Sequence, residues 1–415
     1  MQSQGVIQRS ANGLQLRLPN DPKLWLVLVA FCEKNIIRYI ALVMSMIPGV
    51  SFFSSWLVPA LYIVLILLCL QKVRTIGATE LAVLVFTALA IIGTCVFYPQ
   101  NAAYIFDKDQ FWNVIFPCLR WFIVALVFVP NKENMELIGK VSCLSIVVEA
   151  LFVVAYMIPN NLQVHDDMNR AYQLLPNILL VFNYAFNKRR FWPWFFSVIG
   201  AVYLLSLGTR GPIVVLLAFV FLKFLKDRRG KLWQKILLGV VLAGVGVVLV
   251  QSNIYVAILG MIKRFIAYLG MSTRVVDFAI EGTMLSNTTG RDYLAEKALE
   301  KIAERPLLGY GVYGEWSWAN WNVHNLYLEL LLHYGVVLGG ALLLWILNLV
   351  RKAYFTSKNT YAQDVILIFF CFGLIRGFFG GSYLTFGMFF LIGFCIKEVR
   401  RTRHAKQKQA MGDKQ

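Results

Sequence analysis

The chain contains a series of apolar stretches, each near the roughly 20 residues a helix needs to cross the hydrocarbon of a bilayer. They fall near 24–47, 55–70, 78–98, 111–129, 137–159, 172–187, 191–207, 211–227, 232–250, 323–350, 362–376 and 380–396. In lipid the backbone must satisfy its own polar groups, which favours helices over open strands. With 59% hydrophobic and only 15% charged residues, the chain has no room for large water-soluble domains, whose charged share is about 25%. The expected fold class is an all-α polytopic membrane protein of about 12 transmembrane helices.

The expected organisation is a polar cytoplasmic N-terminus over residues 1–23, spans one to nine over 24–250, an extracytoplasmic loop over 251–322, spans ten to twelve over 323–396, and a basic cytoplasmic tail over 397–415. The N-terminus lacks the apolar core of a secretory signal. Glu33, Lys34 and Arg38 interrupt the first stretch, so residues 24–34 are expected to lie along the membrane surface, with the span beginning near Asn35. In the long loop, residues 253–270 read as an interfacial helix. Thr289 is placed to cap a second helix running to about Glu304, and Pro306 stops it.

The net charge of +18 would suit nucleic acid, but the cations sort by side. Of the 40 Lys and Arg, 25 fall in the termini and alternate loops assigned to the cytoplasm, and 11 fall opposite. This is the positive-inside pattern, with both ends cytoplasmic and no nucleic-acid partner. The seven cysteines form no CxxC or zinc spacing. No Walker A, Rossmann, HExxH or GxSxG pattern is present, so neither cofactor nor metal is expected.

Seven basic residues, Arg170, Arg210, Arg274, Arg291, Arg305, Arg376 and His324, fall on the outer side, where cations should be depleted. Arg210 lies in Ser206-Leu-Gly-Thr-Arg-Gly-Pro212, just before a helix start. A helix N-terminus beside a guanidinium fork suits a phosphate; the alternative is an interfacial arginine held by lipid headgroups. Arg274 and Arg291 are further candidates for phosphate binding. Arg305, Lys297 and Lys301 share their region with Glu296, Glu300 and Glu304 and read as a solvated face.

His324 opens the tenth stretch, where a neutral imidazole can take a proton from a hydroxyl or can simply cap the helix. His333, nine residues on and about 180° round a helix, is expected to be structural. Trp318 and Trp321 are candidates for stacking on sugar rings or for plain interfacial anchoring. Arg120 and Glu149, at matched depth in the fourth and fifth spans, are expected to form a buried ion pair.

Three elements in this order resemble the O-antigen ligase and polymerase family of bacterial membrane glycosyltransferases. They are Thr209-Arg-Gly-Pro212, Gly290-Arg291 leading to Pro306-Leu-Leu-Gly-Tyr-Gly311, and His324-Asn325 followed after nine residues by Gly335. The resemblance covers about residues 200 to 345. It implies a GT-C-like, metal-independent, inverting enzyme of the bacterial inner membrane. Its donor would be a glycan on undecaprenyl diphosphate at the outer leaflet.

On the same resemblance, Arg210 and Arg291 bind the donor diphosphate and His324 activates the acceptor hydroxyl; Arg274 stands as a third diphosphate candidate, and Trp318 and Trp321 as candidates for glycan contact. The implied partners are the lipid-linked donor, a glycan or lipid-linked acceptor, membrane lipids and a chain-length regulator. Ligases of the family tend to carry Gly, Thr or Tyr three residues after the glycine that closes the histidine motif. Leu338-Gly339 departs from that pattern, which puts a polysaccharide polymerase ahead of a ligase. An exporter of lipid-linked glycan fits less well, because no inverted repeat is visible.

Overall fold

The computed structural model describes residues 9–10, 13–14, 21–45, 47, 51–70, 77–107, 114–153, 155, 168–226, 254–283, 290–319 and 322–412. Apart from a short pairing of Arg9–Ser10 with Gly13–Leu14, this part is built from helices. In chain order they are α1 (Pro22–Cys32), α2 (Arg38–Ser45), α3 (Ser51–Leu70), α4 (Ala78–Phe97), α5 (Pro99–Ile105), α6 (Phe116–Val127), α7 (Lys132–Phe152), α8 (Met168–Lys188) and α9 (Phe191–Ser206). Then follow α10 (Arg210–Lys226), α11 (Ile254–Tyr268), α12 (Arg274–Ile280), α13 (Arg291–Glu304), α14 (Trp316–Ala319), α15 (Leu326–Thr356), α16 (Thr360–Phe370) and α17 (Phe386–Gly412). The expected ninth span, 232–250, lies outside the described residues.

Among the described residues, Ala78–Phe97, Leu326–Thr356 and Thr360–Phe378 are long and apolar enough to cross a membrane. On α4 the residues Leu81, Val85, Leu89, Ile92 and Val96 form a stripe at helical spacing, each between 46% and 67% exposed. Among the described residues none covers that stripe, and a bare apolar face of this length is stable against hydrocarbon rather than water. Deeper in the bundle α6 and α17 pack closely. Phe369 stacks on Phe390 with ring centroids 3.9 Å apart, and Trp121 meets Phe390 edge-on at 5.7 Å. A Cβ on Gly393 would stand 3.0 Å from Phe122. Between helices in lipid, this close contact stabilises through dispersion, since tails are as apolar as the side chains.

Two expectations are corrected by the packing. Residues 24–34 do not lie along a surface. Leu26, Val27, Ala30 and Phe31 are buried, and α1 packs against α3, α6 and α7. A π-helical turn over Glu33–Ile37 joins α1 to α2, so the charges read as an interruption belong to a nearly continuous helix.

Arg120 and Glu149 do not pair with each other. Arg120 bonds Glu33 at 2.5 Å, Tyr62 donates its hydroxyl to the same carboxylate at 2.8 Å, and the guanidinium lies 3.9 Å from the Tyr62 ring centre. Glu149 instead takes Arg170 at 3.1 Å and the hydroxyls of Tyr39 and Tyr203. A charge out of water takes the partner that also satisfies its lone pairs and protons. Matched depth on neighbouring helices was a weaker criterion than that, and Glu33 had been assigned to the wrong environment.

The feature that positions the site is a break in α15. Gly335 has φ 74° and ψ 170° in the middle of the helix, a conformation that suits glycine. The break frees backbone groups, and the turn after α13 satisfies them. Tyr310 N–H donates to the Leu332 carbonyl at 2.8 Å, Gly311 N–H to His333 at 3.0 Å, and Val336 N–H to Pro306 at 2.6 Å. On the other side of this turn, the Tyr98 hydroxyl donates to the Gly309 carbonyl and Asn101 to Tyr310 and Val312. The loop is therefore wedged between the α4–α5 corner and a broken helix. That fixes where α13 ends and α15 begins.

Candidate active site

Arg210 is the first residue of α10, after a turn in which Gly208 has φ 70°. Leu207 bridges in parallel to Ser272, which brings the start of α12 beside the start of α10. As a result the Arg210 and Arg274 guanidinium groups lie 5.0 Å and 5.4 Å from the centre of one ring, Phe278. A ring face attracts both cations and holds them side by side. Lys263 is drawn aside, paired with Asp277 at 2.6 Å. Gly211 is needed next to Arg210 because a Cβ there would stand 2.0 Å from the Tyr172 hydroxyl.

Arg291 opens α13 after Gly290, whose φ is 80°. Thr289, the expected cap, lies outside the described residues. Nη1 of Arg291 donates to the Phe379 carbonyl at 2.5 Å. Arg376 opens the 3-10 turn Arg376–Phe378 that follows α16, with its guanidinium 3.9 Å from the centre of the Tyr172 ring. Its Nε is buried with no hydrogen-bond partner. Arg291 and Arg274 both act electrostatically on Arg210, and Arg291 and Arg376 both act on His324. Arg291 thus links the Arg210–Arg274 pair to the neighbourhood of Arg376 and His324.

His324 precedes α15 with φ 57°, a left-handed conformation that a residue with a side chain seldom adopts. Asn325 caps the helix, its Oδ1 accepting from the N–H of Tyr327 and Leu328, so the histidine is not needed for capping. Burial first, then the charges of Arg291 and Arg376, hold the His324 imidazole below its ordinary value. It is therefore neutral at pH 7, the form that can accept a proton. The strain at this position fits a side chain aimed by its surroundings rather than by helix geometry.

The remaining candidates sit elsewhere. Trp318 belongs to a small apolar cluster with Ala298, Ile302, Val323 and Leu332, and its buried indole N–H has no partner. Trp321 lies outside the described residues. Lys297 and Lys301 pair with Glu300 and Glu304 on exposed α13. His333 is buried, bonded to Glu315 and Tyr383. Arg376 had been noted only as one of several outer cations. Nothing in its spacing pointed to His324, because the link runs through tertiary packing.

An apolar cavity of about 310 Å³, lined by α4, α6, α15 and α17 residues such as Phe86, Leu119, Tyr334, Ile346 and Phe389, contains none of these arginines.

Apolar helices with bare faces are those of an integral membrane protein, and in it Arg291 and Arg376 act on His324. The family described as O-antigen ligase matches residues 195–346, a segment holding Arg210, Arg274, Arg291, His324 and Gly335 but not Arg376. Over that segment, somewhat more than a third of the chain, the sequence is similar to the O-antigen ligase family. No curated protein and no solved structure matches the chain.

Proposed function

We propose that the chain is an inverting glycosyltransferase that takes its glycan from undecaprenyl diphosphate at the outer leaflet of the bacterial inner membrane. In this reading the chain crosses the membrane twelve times, with both termini in the cytoplasm. The observation that carries the proposal is the placement of His324 within electrostatic reach of Arg291 and Arg376, with Arg210 and Arg274 adjoining. Guanidinium forks match phosphate oxygens at two points each. Several of them together suit the multiple charges of a diphosphate better than a single carboxylate.

In the reaction, the acceptor hydroxyl oxygen attacks the anomeric carbon from the face opposite the leaving group, and the carbon–oxygen bond to phosphate breaks. The electron pair leaves with undecaprenyl diphosphate, where the arginines stabilise the added charge. The acceptor proton passes to His324. This chemistry draws on no metal ion or cofactor.

The favoured acceptor is a second lipid-linked repeat, which makes the enzyme a polysaccharide polymerase. The ligase reading, transfer to lipid A core or another surface acceptor, is supported by the description of the matching family. Leu338, the residue that separated the two in the sequence, is 44% exposed on α15.

Purified protein in proteoliposomes, given lipid-linked repeat alone, should form longer lipid-linked glycan. Elongation only when lipid A core is supplied would select the ligase. Movement of donor across the bilayer with no new glycosidic bond would identify an exporter and overturn the proposal.

A further inference from the structure

A second polar cluster lies on α15 beyond the histidine motif. Glu329 and His333 stand four residues apart, hence on one face of the helix. Glu315 reaches them from the turn before α14. All three are buried, and a carboxylate oxygen from each glutamate and a ring nitrogen of His333 lie within 4.8 Å of one another. His333 Nε2 is 2.5 Å from Glu315 Oε2, and Nδ1 is 2.9 Å from the Tyr383 hydroxyl. Glu329 accepts from the Ser382 hydroxyl at 2.6 Å and from the Tyr383 N–H at 3.1 Å.

These contacts leave two things unexplained. Glu315 Oε1 is buried without a partner, and so is the hydroxyl of buried Tyr313, which is within electrostatic reach of both carboxylates. Among the described residues neither carboxylate is paired with a lysine or arginine, and two carboxylates with an imidazole are a donor set that a divalent ion accepts.

We propose that Glu315, Glu329 and His333 bind one divalent transition-metal ion of the Zn²⁺ or Mn²⁺ kind. Ligand atoms about 2.0–2.2 Å from such an ion stand roughly 3 Å apart, so small side-chain shifts close the site. The mixed oxygen and imidazole donors suit these ions better than Mg²⁺, which prefers oxygen and keeps its waters. Tyr383 on Nδ1 is the outer partner that fixes which nitrogen faces the metal.

The ion takes no part in glycosyl transfer, because the cluster's contacts run to Ser382 and Tyr383 and include neither His324 nor the arginines. Its role is to tie three segments together: the Glu315 turn, α15, and the Ser382–Tyr383 stretch that follows Arg376. The site stands independently of the proposed reaction.

The test uses the whole chain purified in detergent without chelator. Elemental analysis should find about one equivalent of Zn²⁺ or Mn²⁺ per chain. Stripped protein should melt at a lower temperature and recover on adding either ion but not Mg²⁺, and Co²⁺ should give visible ligand-field bands. Glu315→Gln and Glu329→Gln should lose the ion and the thermal response. If either variant fails to fold, the wild-type measurements decide alone. Substoichiometric metal with no thermal response to Zn²⁺ or Mn²⁺, or an equal response to Mg²⁺, would overturn the proposal and leave a proton-shared pair. Turnover below the melting temperature is unaffected by the ion, so this result and the glycosyltransfer result are read separately.

Discussion

Gly309 and Gly335 meet backbone to backbone. A Cβ on Gly309 would lie 2.7 Å from the Gly335 nitrogen and 2.5 Å from the Leu332 carbonyl oxygen, and one on Gly335 would lie 2.3 Å from the Leu307 oxygen. Both glycines have positive φ. Substituting alanine at either therefore adds backbone strain to overpacking, each on the order of 1–3 kcal/mol. Gly309→Ala and Gly335→Ala should each lower the melting temperature clearly, while Gly340→Ala, with open space around its Cβ position, should not. Equal melting of all three would mean that the loop does not seat in the helix break.

The buried pairs make a second prediction. Removing Arg120 leaves Glu33 uncompensated, which costs on the order of 3–5 kcal/mol where water cannot reach. A double-mutant cycle between Arg120→Met and Glu33→Gln should show strong coupling. The cycle between Arg120→Met and Glu149→Gln should be close to additive, because these residues have separate partners. The reverse pattern of coupling would restore the pairing expected from depth alone.

The contrast between those two cycles shows what the sequence carries and what it does not. Hydropathy finds α4, α15 and α16 because a lipid-facing stripe is a local property of the chain. Of the residues in Thr209-Arg-Gly-Pro212, Gly290-Arg291 and His324-Asn325, Arg210 shares the Phe278 ring with Arg274, and Arg291 acts on both Arg210 and His324. Glu33 was misread because a charge inside an apolar stretch looks the same whether it ends a helix or pairs inside a bundle. Arg376 and the Glu315–His333 contact depend on which helix ends meet, information held in packing rather than in spacing.

Arg210 and Arg291 are expected to hold the donor diphosphate, with Arg274 and Arg376 beside them. Lysine keeps the charge but loses the two-pronged fork. Arg210→Lys and Arg291→Lys should therefore weaken donor binding while leaving the melting temperature near wild type. The readout is donor affinity on purified protein, and wild-type affinity in both variants would reassign these arginines to lipid headgroups.

The pH dependence follows from His324. Its imidazole sits below the ordinary value through burial and the Arg291 and Arg376 charges, and it works as a base when neutral. The acid limb of kcat/KM should accordingly fall below about 6.5, the unperturbed value, with activity lost as pH drops through it. A bound diphosphate favours the imidazolium, so the limb of kcat should lie at higher pH than that of kcat/KM. Arg376→Gln removes a repelling cation and should move the free-enzyme limb upward. A limb that stays put in this variant would mean that Arg376 does not act on the base.

His324 is needed only once the donor is in place. Accepting a proton from the attacking hydroxyl lowers the barrier without changing how tightly the lipid diphosphate is held. His324→Ala should therefore bind donor nearly as well as wild type yet lose turnover by roughly 10² to 10⁴, the usual span for a general base. The left-handed φ of 57° at this position also means that His324→Gly should relieve strain, so it should match or exceed wild-type stability while remaining as slow as the alanine variant. A strained residue kept only for structure would behave otherwise, with glycine restoring function. If His324→Ala or His324→Gly turns over normally with purified donor and acceptor, the histidine is not the base, and the acceptor proton leaves by another route.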